Sequence, residues 1–395
     1  MDFMNKKINR LKLVLETSTS CVGTCVGCAL PVVERLQQKP IIEKENLQKY
    51  FQKIEEFIWN LEKKTEKIFD FLIVELVVGE HFNYSQEYLN IFFQEIHQFF
   101  QKINKKYILA ISTSGLVAKN KVEEKLKILH RFFDKEQLEV HLVCNLNKFN
   151  QYEKTYREMT KLFQKYFKYI NILTNFDNQL PTQYCDQFAK YLQDFEITDF
   201  QLVYGLKQHN QDDVNYNPNL FYEIYHKILQ YAPSGYRQRD VQEEIEKFEN
   251  NTDKSIQEMI VNVDNIVENQ LFINSFGDVF NLIQTMFGGI ELETRAGFQK
   301  ITNIFDNEAI NTYLNSKKIM KKTLTKKYLS QEVCQKCLYK ERCYNVALPI
   351  LSENFIHEGI CYNPVIPFYK NKEHLISIYQ EKNKNNFLKD WKIDL

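Results

Sequence analysis

The sequence predicts an α/β protein in which six strand–helix units form a partial barrel and a smaller cysteine-rich domain comes after it. Three observations lead to this fold class. Short apolar runs alternate with longer amphipathic stretches as far as residue 205. Five of the 11 glycines lie just beyond apolar runs, where strands end. Seven of the nine cysteines fall into two groups, one near each end of the chain.

Six apolar runs predict the strands of the barrel. Their continuous apolar character is typical of a parallel sheet covered on both faces. They lie near residues 11–16, 69–78, 107–112, 138–144, 169–174 and 199–204.

The intervening stretches predict helices. Residues 45–64 and 85–103 carry apolar side chains at three- and four-residue steps, which marks one buried helix face. Six such units predict a TIM-type (β/α)6 partial barrel rather than a complete eight-unit barrel.

Glycine positions point to the carboxyl ends of the strands. Gly79, Gly115 and Gly205 follow the second, third and sixth predicted strands. Barrel enzymes build their sites at this end, and glycine there lets the backbone approach a ligand closely. The alternative is that these glycines simply end strands.

The chain divides into four predicted parts. Residues 1–215 form the barrel, 216–265 a helical connector, 266–365 the cysteine-rich domain and 366–395 a tail. The segment "NQLFINSFGDVFNLI" predicts a hairpin that turns around Gly277.

Charge and hydropathy exclude several partners. Lys plus Arg equals Asp plus Glu, at 51 each, so we expect no nucleic acid and no membrane surface as partner. The longest apolar stretch is interrupted by Asp70 and Glu75 and is too short to span a bilayer. We expect a soluble cytoplasmic protein, in which grouped cysteines bind metal or act as catalytic thiols. The solitary Cys185 is expected to be a small buried hydrophobe.

Cys21, Cys25 and Cys28 follow the first strand with the spacing C-x3-C-x2-C. Three thiols cannot pair among themselves and are one fewer than the four ligands of structural zinc. The motif resembles that of the radical SAM superfamily. The resemblance implies that three thiolates hold a [4Fe-4S] cluster whose fourth iron binds S-adenosylmethionine (AdoMet), which is cleaved to a 5′-deoxyadenosyl radical. Zinc with an added histidine is the alternative.

Residues after later strands extend the resemblance. Gly79 and Glu80 in "VVGEHF" are similar to the family's Gly-Gly-Glu segment, which receives the AdoMet amino group. Ser114 in "ISTSGLV" is similar to the Asn of a Thr-Asn-Gly turn, and Asn145 is a candidate ribose contact or simply a solvated side chain.

Three positions depart from the family pattern. Val78 replaces the first glycine of the Gly-Gly-Glu segment, and His81 replaces the proline that commonly follows it. Gly27 stands where an aromatic residue usually packs near the adenine. Another side chain is therefore expected to fill that space.

The second group has the spacing C-x2-C-x5-C-x17-C and resembles the outer cluster of the SPASM extension. The resemblance implies an auxiliary [4Fe-4S] cluster with four protein ligands. Ala347 and Asn281 stand where cysteines of an inner cluster would be expected, so that cluster is absent from the prediction. A four-cysteine zinc site is the alternative. The ligands are Cys334, Cys337, Cys343 and Cys361.

Taken as a whole, the resemblance implies a radical SAM enzyme that abstracts hydrogen from a peptide or protein during maturation. It also implies an external electron donor of flavodoxin or ferredoxin type. A small-molecule substrate and a non-catalytic cluster- or zinc-binding scaffold are the alternatives. Fold-level analogy supplies the peptide substrate, and no catalytic acid or base is assigned.

Metal analysis tests the two cysteine groups. If both hold [4Fe-4S] clusters, the anaerobically purified chain should contain about eight irons. Substituting Cys337 by Ser should remove about four of them. It should leave AdoMet cleavage driven by dithionite intact, because the first group is untouched. About four irons and one zinc in the unsubstituted chain would instead identify the second group as a zinc site.

Overall fold

A computed structural model defines most of the predicted barrel and part of the chain beyond it. It describes residues 9–17, 21–23, 42–77, 79–176, 180–181, 183–197, 199–204, 223, 226–227, 270–280, 300–318, 336, 356–357 and 360–361. The tail predicted at 366–395 and nearly all of the connector predicted at 216–265 lie outside these residues. The four domain boundaries therefore stay predictions.

Nine described strands form one sheet, and two short strands pair separately. All six strands predicted in the first half of the chain are confirmed. The strands are β1 (Arg10–Glu16), β2 (Phe71–Val77), β3 (Lys106–Thr113), β4 (Leu138–Asn145), β5 (Tyr169–Phe176), β6 (Asp199–Tyr204), β7 (Gln270–Asn274), β8 (Asp278–Phe280), β9 (Lys300–Asn303), β10 (Ile356–His357) and β11 (Ile360–Cys361).

Helices connect the parallel strands, and the two predicted from sequence periodicity are confirmed. The helices are α1 (Lys44–Thr65), α2 (Gln86–Ile103), α3 (Lys119–Leu129), α4 (Phe149–Tyr166), α5 (Gln183–Asp194) and α6, over residues 309–318. None of the described helices is long and apolar enough to cross a membrane.

The sheet order is β6-β5-β4-β3-β2-β1-β7-β8-β9, and β1 through β6 are all parallel. Because the chain advances along the sheet in one direction, right-handed crossovers put the connecting helices on the same face. Alternate residues of β1, β2 and β4 are buried on that face, including Leu13, Val74 and Leu142. The α/β class with parallel strands is confirmed.

The opposite face of the sheet is more polar than the sequence predicts. Continuous apolar runs led us to expect an apolar environment on both faces, yet this face carries Lys12, Glu75, Glu139 and His141. Each of these residues alternates with an aliphatic residue of the helix-covered face. The runs look continuous because the charged positions are few and lie among small or aliphatic neighbours.

The predicted hairpin around Gly277 is confirmed, because β7 and β8 pair antiparallel on either side of it. The second neighbour of β7 was not predicted. This strand also pairs in parallel with β1, where Gln270 lies opposite Lys12. Helix α6 adds a contact between Tyr313 and Phe57 of α1, whose ring centroids are 5.6 Å apart. The first described part of the predicted 266–365 domain is thus attached directly to the sheet.

Candidate cofactor site at the carboxyl edge of the sheet

The carboxyl ends of the parallel strands bring the predicted site residues to one edge. Gly79 and Glu80 follow β2, Ser114 follows β3 and Asn145 ends β4. In open α/β sheets and barrels, this edge is where ligands bind. Gly79 has φ +82°, in the left-handed region, which glycine adopts without steric cost because it has no Cβ atom.

Glu80 is the most completely enclosed of these residues, with 0% of its surface exposed. Its carboxylate joins the end of β2 to the turn after β3. The Thr113 hydroxyl lies 2.8 and 2.9 Å from its two oxygens, and Oε2 accepts bonds from the Ser114 backbone N–H (2.9 Å) and hydroxyl (2.7 Å). The Phe82 N–H completes the set at 3.4 Å.

The environment of Glu80 acts on its charge in two opposed ways. Burial raises the pKa of the carboxyl group, while the hydrogen bonds from Ser114, Thr113 and Phe82 favour the ionised form. A buried carboxylate surrounded by neutral donors is stabilised further by any cation that reaches it. Chemically, the site is therefore suited to a cationic group such as an ammonium.

Lys125 of α3 is the charged neighbour of this loop. Its ammonium donates a hydrogen bond to the Phe82 carbonyl oxygen. Burial lowers the pKa of Lys125, and the nearby charge of Glu80 opposes that effect. The segment after β2 is thus held from the β3 side by Glu80 and from the helix layer by Lys125.

The turn after β3 requires glycine at position 115. Gly115 has φ +66°, and a Cβ atom there would lie 2.5 Å from Leu142 Cδ1. Its N–H donates to the Thr113 hydroxyl at 3.1 Å, so the same threonine orders the turn and contacts Glu80. Ser114 is 5% exposed, and its hydroxyl is directed at Glu80.

Asn145 is buried, with 2% of its surface exposed. The alternative that it is simply solvated is therefore wrong. Its backbone N–H donates to the Tyr156 hydroxyl at 3.2 Å, and its register partner on β5 is Asn175. Two asparagines thus lie side by side at the same edge, and the sequence pointed only to the first.

Of the three clustered cysteines near the amino terminus, the structure describes Cys21. It lies four residues beyond Thr17, is partly exposed, and its thiol accepts the Gly23 N–H at 3.1 Å. Cys25 and Cys28 lie outside the described residues, as do Cys334, Cys337 and Cys343, along with the side chain of Cys361. Gly27 and Val78 also lie outside them.

Cys185 behaves as predicted. It is buried in α5 with 1% of its surface exposed, and burial raises the pKa of its thiol to about 12. An apolar, protonated thiol of this kind is inert.

His81 is fully buried, which its place in the sequence did not predict. Its Nε2 and the Thr17 hydroxyl share a hydrogen bond of 2.8 Å, so the loop after β2 is bonded to the end of β1. Burial lowers the pKa of His81 to about 4 and leaves the ring neutral at pH 7.

Four charged side chains on the polar face of the sheet form a network that sequence reasoning missed. Lys12 Nζ lies 2.5 Å from Glu75 Oε2, and His141 Nδ1 lies 2.9 Å from Glu75 Oε1. His141 Nε2 contacts Glu139 Oε1 at 2.9 Å. The contact between β2 and β4 passes over Ala110 of β3, the register partner of both Glu75 and Glu139, whose small side chain leaves room for it.

The network favours the ionised forms of Glu75 and His141. The charges of Glu75 and Glu139 outweigh burial and raise the pKa of His141 to about 10, while His141 and Lys12 lower that of Glu75. One residue in the sequence could have indicated this network: Glu75, a charged residue inside the longest apolar stretch of the chain.

Comparison with known proteins identifies structural relatives only. No family model matches the chain, and no curated protein sequence matches it. Solved structures of anSMEcpe, an anaerobic sulfatase-maturating enzyme, share its fold.

Three of these structures illustrate the similarity. One, with bound AdoMet and Cp18Cys peptide, has a TM-score of 0.57 and 15% identity over 94% of this chain and 99% of that chain. A second, with AdoMet and Kp18Cys peptide, has a TM-score of 0.58 and 16% identity over 94% of this chain and 99% of that chain. The third, the native protein with AdoMet, has a TM-score of 0.58 and 17% identity over 94% of this chain and 99% of that chain.

Replacing Glu80 by Gln tests whether its carboxylate serves a ligand. If it binds the AdoMet ammonium, the variant should bind AdoMet about 10- to 100-fold more weakly, the equivalent of a charge-assisted hydrogen bond. Its iron content should stay unchanged. The control Thr113→Val removes one donor to Glu80 and keeps the charge, so it should weaken binding far less. Equal losses in both variants, measured by equilibrium dialysis, would assign Glu80 to holding the turn only.

The charged network predicts a pH dependence of stability. The pKa of His141 is raised above its ordinary value of 6.5, so its contribution is complete below pH 6.5 and disappears as pH rises towards 10. The free energy of unfolding of the wild-type chain should fall by about 2–4 kcal/mol more than that of His141→Gln over this range. Urea unfolding of both proteins at pH 6, 8 and 9.5 measures the difference. Parallel curves would mean that His141 is not ionised in the folded state.

Proposed function

We propose that the chain is a radical SAM enzyme of the cytoplasm that acts on a peptide or protein. The observation that carries the proposal is the position of Cys21. It comes five residues after the carboxyl end of β1, and the buried Glu80 carboxylate follows the carboxyl end of the neighbouring strand β2. An iron–sulfur ligand and an acceptor for an ammonium group are the two requirements for holding AdoMet at a cluster.

The donor set suits an iron–sulfur cluster. In the proposal, Cys21, Cys25 and Cys28 supply three thiolates. The bond from the Gly23 N–H to the Cys21 sulfur favours the thiolate form, and such bonds also tune cluster potentials. When bound, the [4Fe-4S] cluster supplies the electron that cleaves AdoMet. A protein with one such open-sited cluster requires an external donor, for which a flavodoxin or ferredoxin is suitable.

The residues at the edge then have distinct tasks. Glu80 accepts the ammonium group of AdoMet, while hydrogen bonds from Thr113 and Ser114 hold the carboxylate in place. Gly79 lets the backbone approach the ligand, and Asn145 offers an amide at the end of β4 for the ribose.

A peptide or protein substrate is supported by two features. The related fold of anSMEcpe has been solved with AdoMet and peptides bound. The sheet of this chain also has a polar face, on which the partly exposed Lys12 lies beside the buried Glu75 and His141. In the proposal, residues 266–365 form a reduced SPASM-like domain whose four cysteines hold an auxiliary [4Fe-4S] cluster that conducts electrons.

Cleavage of AdoMet tests the proposal directly. The anaerobically reconstituted protein, given AdoMet and dithionite, should form 5′-deoxyadenosine. Cys21→Ala should abolish the product and keep the fold, because Cys21 is partly exposed beyond β1 and contributes little to the core. The matched control Cys185→Ala removes a buried thiol of α5 to which the proposal gives no role, and it should keep cleavage. Loss of activity in the control alone, or no 5′-deoxyadenosine in the wild type, would contradict the proposal.

A further inference from the structure

His81 occupies an enclosed position between the second strand and the helix layer. Its ring stacks on Phe92 of α2, with centroids 6.5 Å apart and planes at 21°. Tyr84 packs edge-on against it at the same centroid distance. With 0% of its surface exposed, the imidazole is held in one orientation by aromatic neighbours.

The hydrogen-bond partner of His81 is Thr17, which lies between the end of β1 and Cys21. Thr17 directly follows β1, is 1% exposed, and its hydroxyl lies 2.8 Å from His81 Nε2. Cys21 lies four positions further along the chain, a span of at most about 14 Å when the chain is extended. Fixing Thr17 therefore restricts where the first thiol of the motif can lie.

The bond also links the two ligand-bearing segments of the proposed site. Glu80 precedes His81 and is fixed to the turn after β3, and Lys125 holds the next residue, Phe82, through its carbonyl oxygen. The His81–Thr17 bond extends this chain of contacts to β1. A side chain without a polar atom at position 81 would remove the hydrogen bond that joins the end of β1 to this loop.

We propose that His81 is a positioning residue that, through its hydrogen bond to Thr17, sets the position of Cys21 relative to the Glu80 carboxylate. This inference rests on the proposed function, because the role given to His81 concerns the binding of the cluster and AdoMet. The bond itself exists in the chain without either. Its effect on the cysteine segment is therefore measurable in the apoprotein.

Two pairs of variants isolate the bond. Thr17→Val removes the hydroxyl at nearly constant volume, and Thr17→Ser restores it without the methyl group. His81→Phe removes the ring nitrogens and keeps an aromatic ring in the same enclosure. His97→Phe is the control: His97 lies in α2, where it contacts Phe132 and Phe133 instead of β1.

The first measurement is hydrogen exchange of the backbone amides at residues 17–23 in the apoprotein. Loss of one neutral hydrogen bond should accelerate exchange about 2- to 12-fold in Thr17→Val and in His81→Phe. The double variant should exchange no faster than either single variant, because both remove the same bond. Thr17→Ser and His97→Phe should match the wild type.

The second measurement uses the reconstituted protein. Thr17→Val and His81→Phe should lose iron to a chelator about 2- to 12-fold faster than the wild type, with Thr17→Ser restoring retention. Both should also alter the change that AdoMet produces in the electron paramagnetic resonance spectrum of the reduced cluster. A residue with a merely structural role would not change that spectrum when the fold is intact.

The outcomes separate the inference from the proposed function. If Thr17→Val and Thr17→Ser behave alike in exchange and in iron retention, the hydroxyl–imidazole bond does not position the segment and the inference is overturned. If the wild type takes up no iron–sulfur cluster, the proposed function fails. The exchange data alone then decide whether His81 fixes the segment that carries Cys21.

Discussion

The carboxylate of Glu80 is the constraint on which the edge of the sheet depends. It lies at the end of β2 and accepts hydrogen bonds from Thr113 and Ser114 at the end of β3. A buried carboxylate is stable only when its oxygens are satisfied, so these two strand ends cannot separate without a large energetic cost. The positions of the next two residues are restrained as well, because His81 is hydrogen-bonded to Thr17 and Phe82 to Lys125. The edge is a connected polar structure rather than a set of independent loops.

A second polar system lies on the sheet face away from the connecting helices. The ionised side chains of Lys12, Glu75, Glu139 and His141 connect β1, β2 and β4 over the small Ala110. Replacing all of them with apolar residues could stabilise the fold, because charged groups lose hydration when they are buried.

The parts of the fold that local pattern determines were predictable from the sequence. The six parallel strands, α1 and α2 follow from apolar periodicity, and the hairpin follows from the turn at Gly277. The pairing of β7 with β1 was not predictable, because no local signal encodes a partner so distant in the chain. At the site, Glu80 and Ser114 were found by their motifs, but their mutual contact requires the register of two strands. The charged network escaped notice because its members are single residues on separate strands.

The parallel contact between β1 and β7 has a consequence for how the chain acquires its structure. The strand that leads into Cys21 is synthesised long before its neighbour β7, which begins at Gln270. Until that late segment leaves the ribosome, β1 exposes an unpaired backbone edge, and contacts of such long sequence separation form slowly. The nascent chain is therefore most vulnerable to aggregation before the hairpin emerges. The strand that precedes Cys21 therefore gains its second neighbouring strand only after β7 has been synthesised.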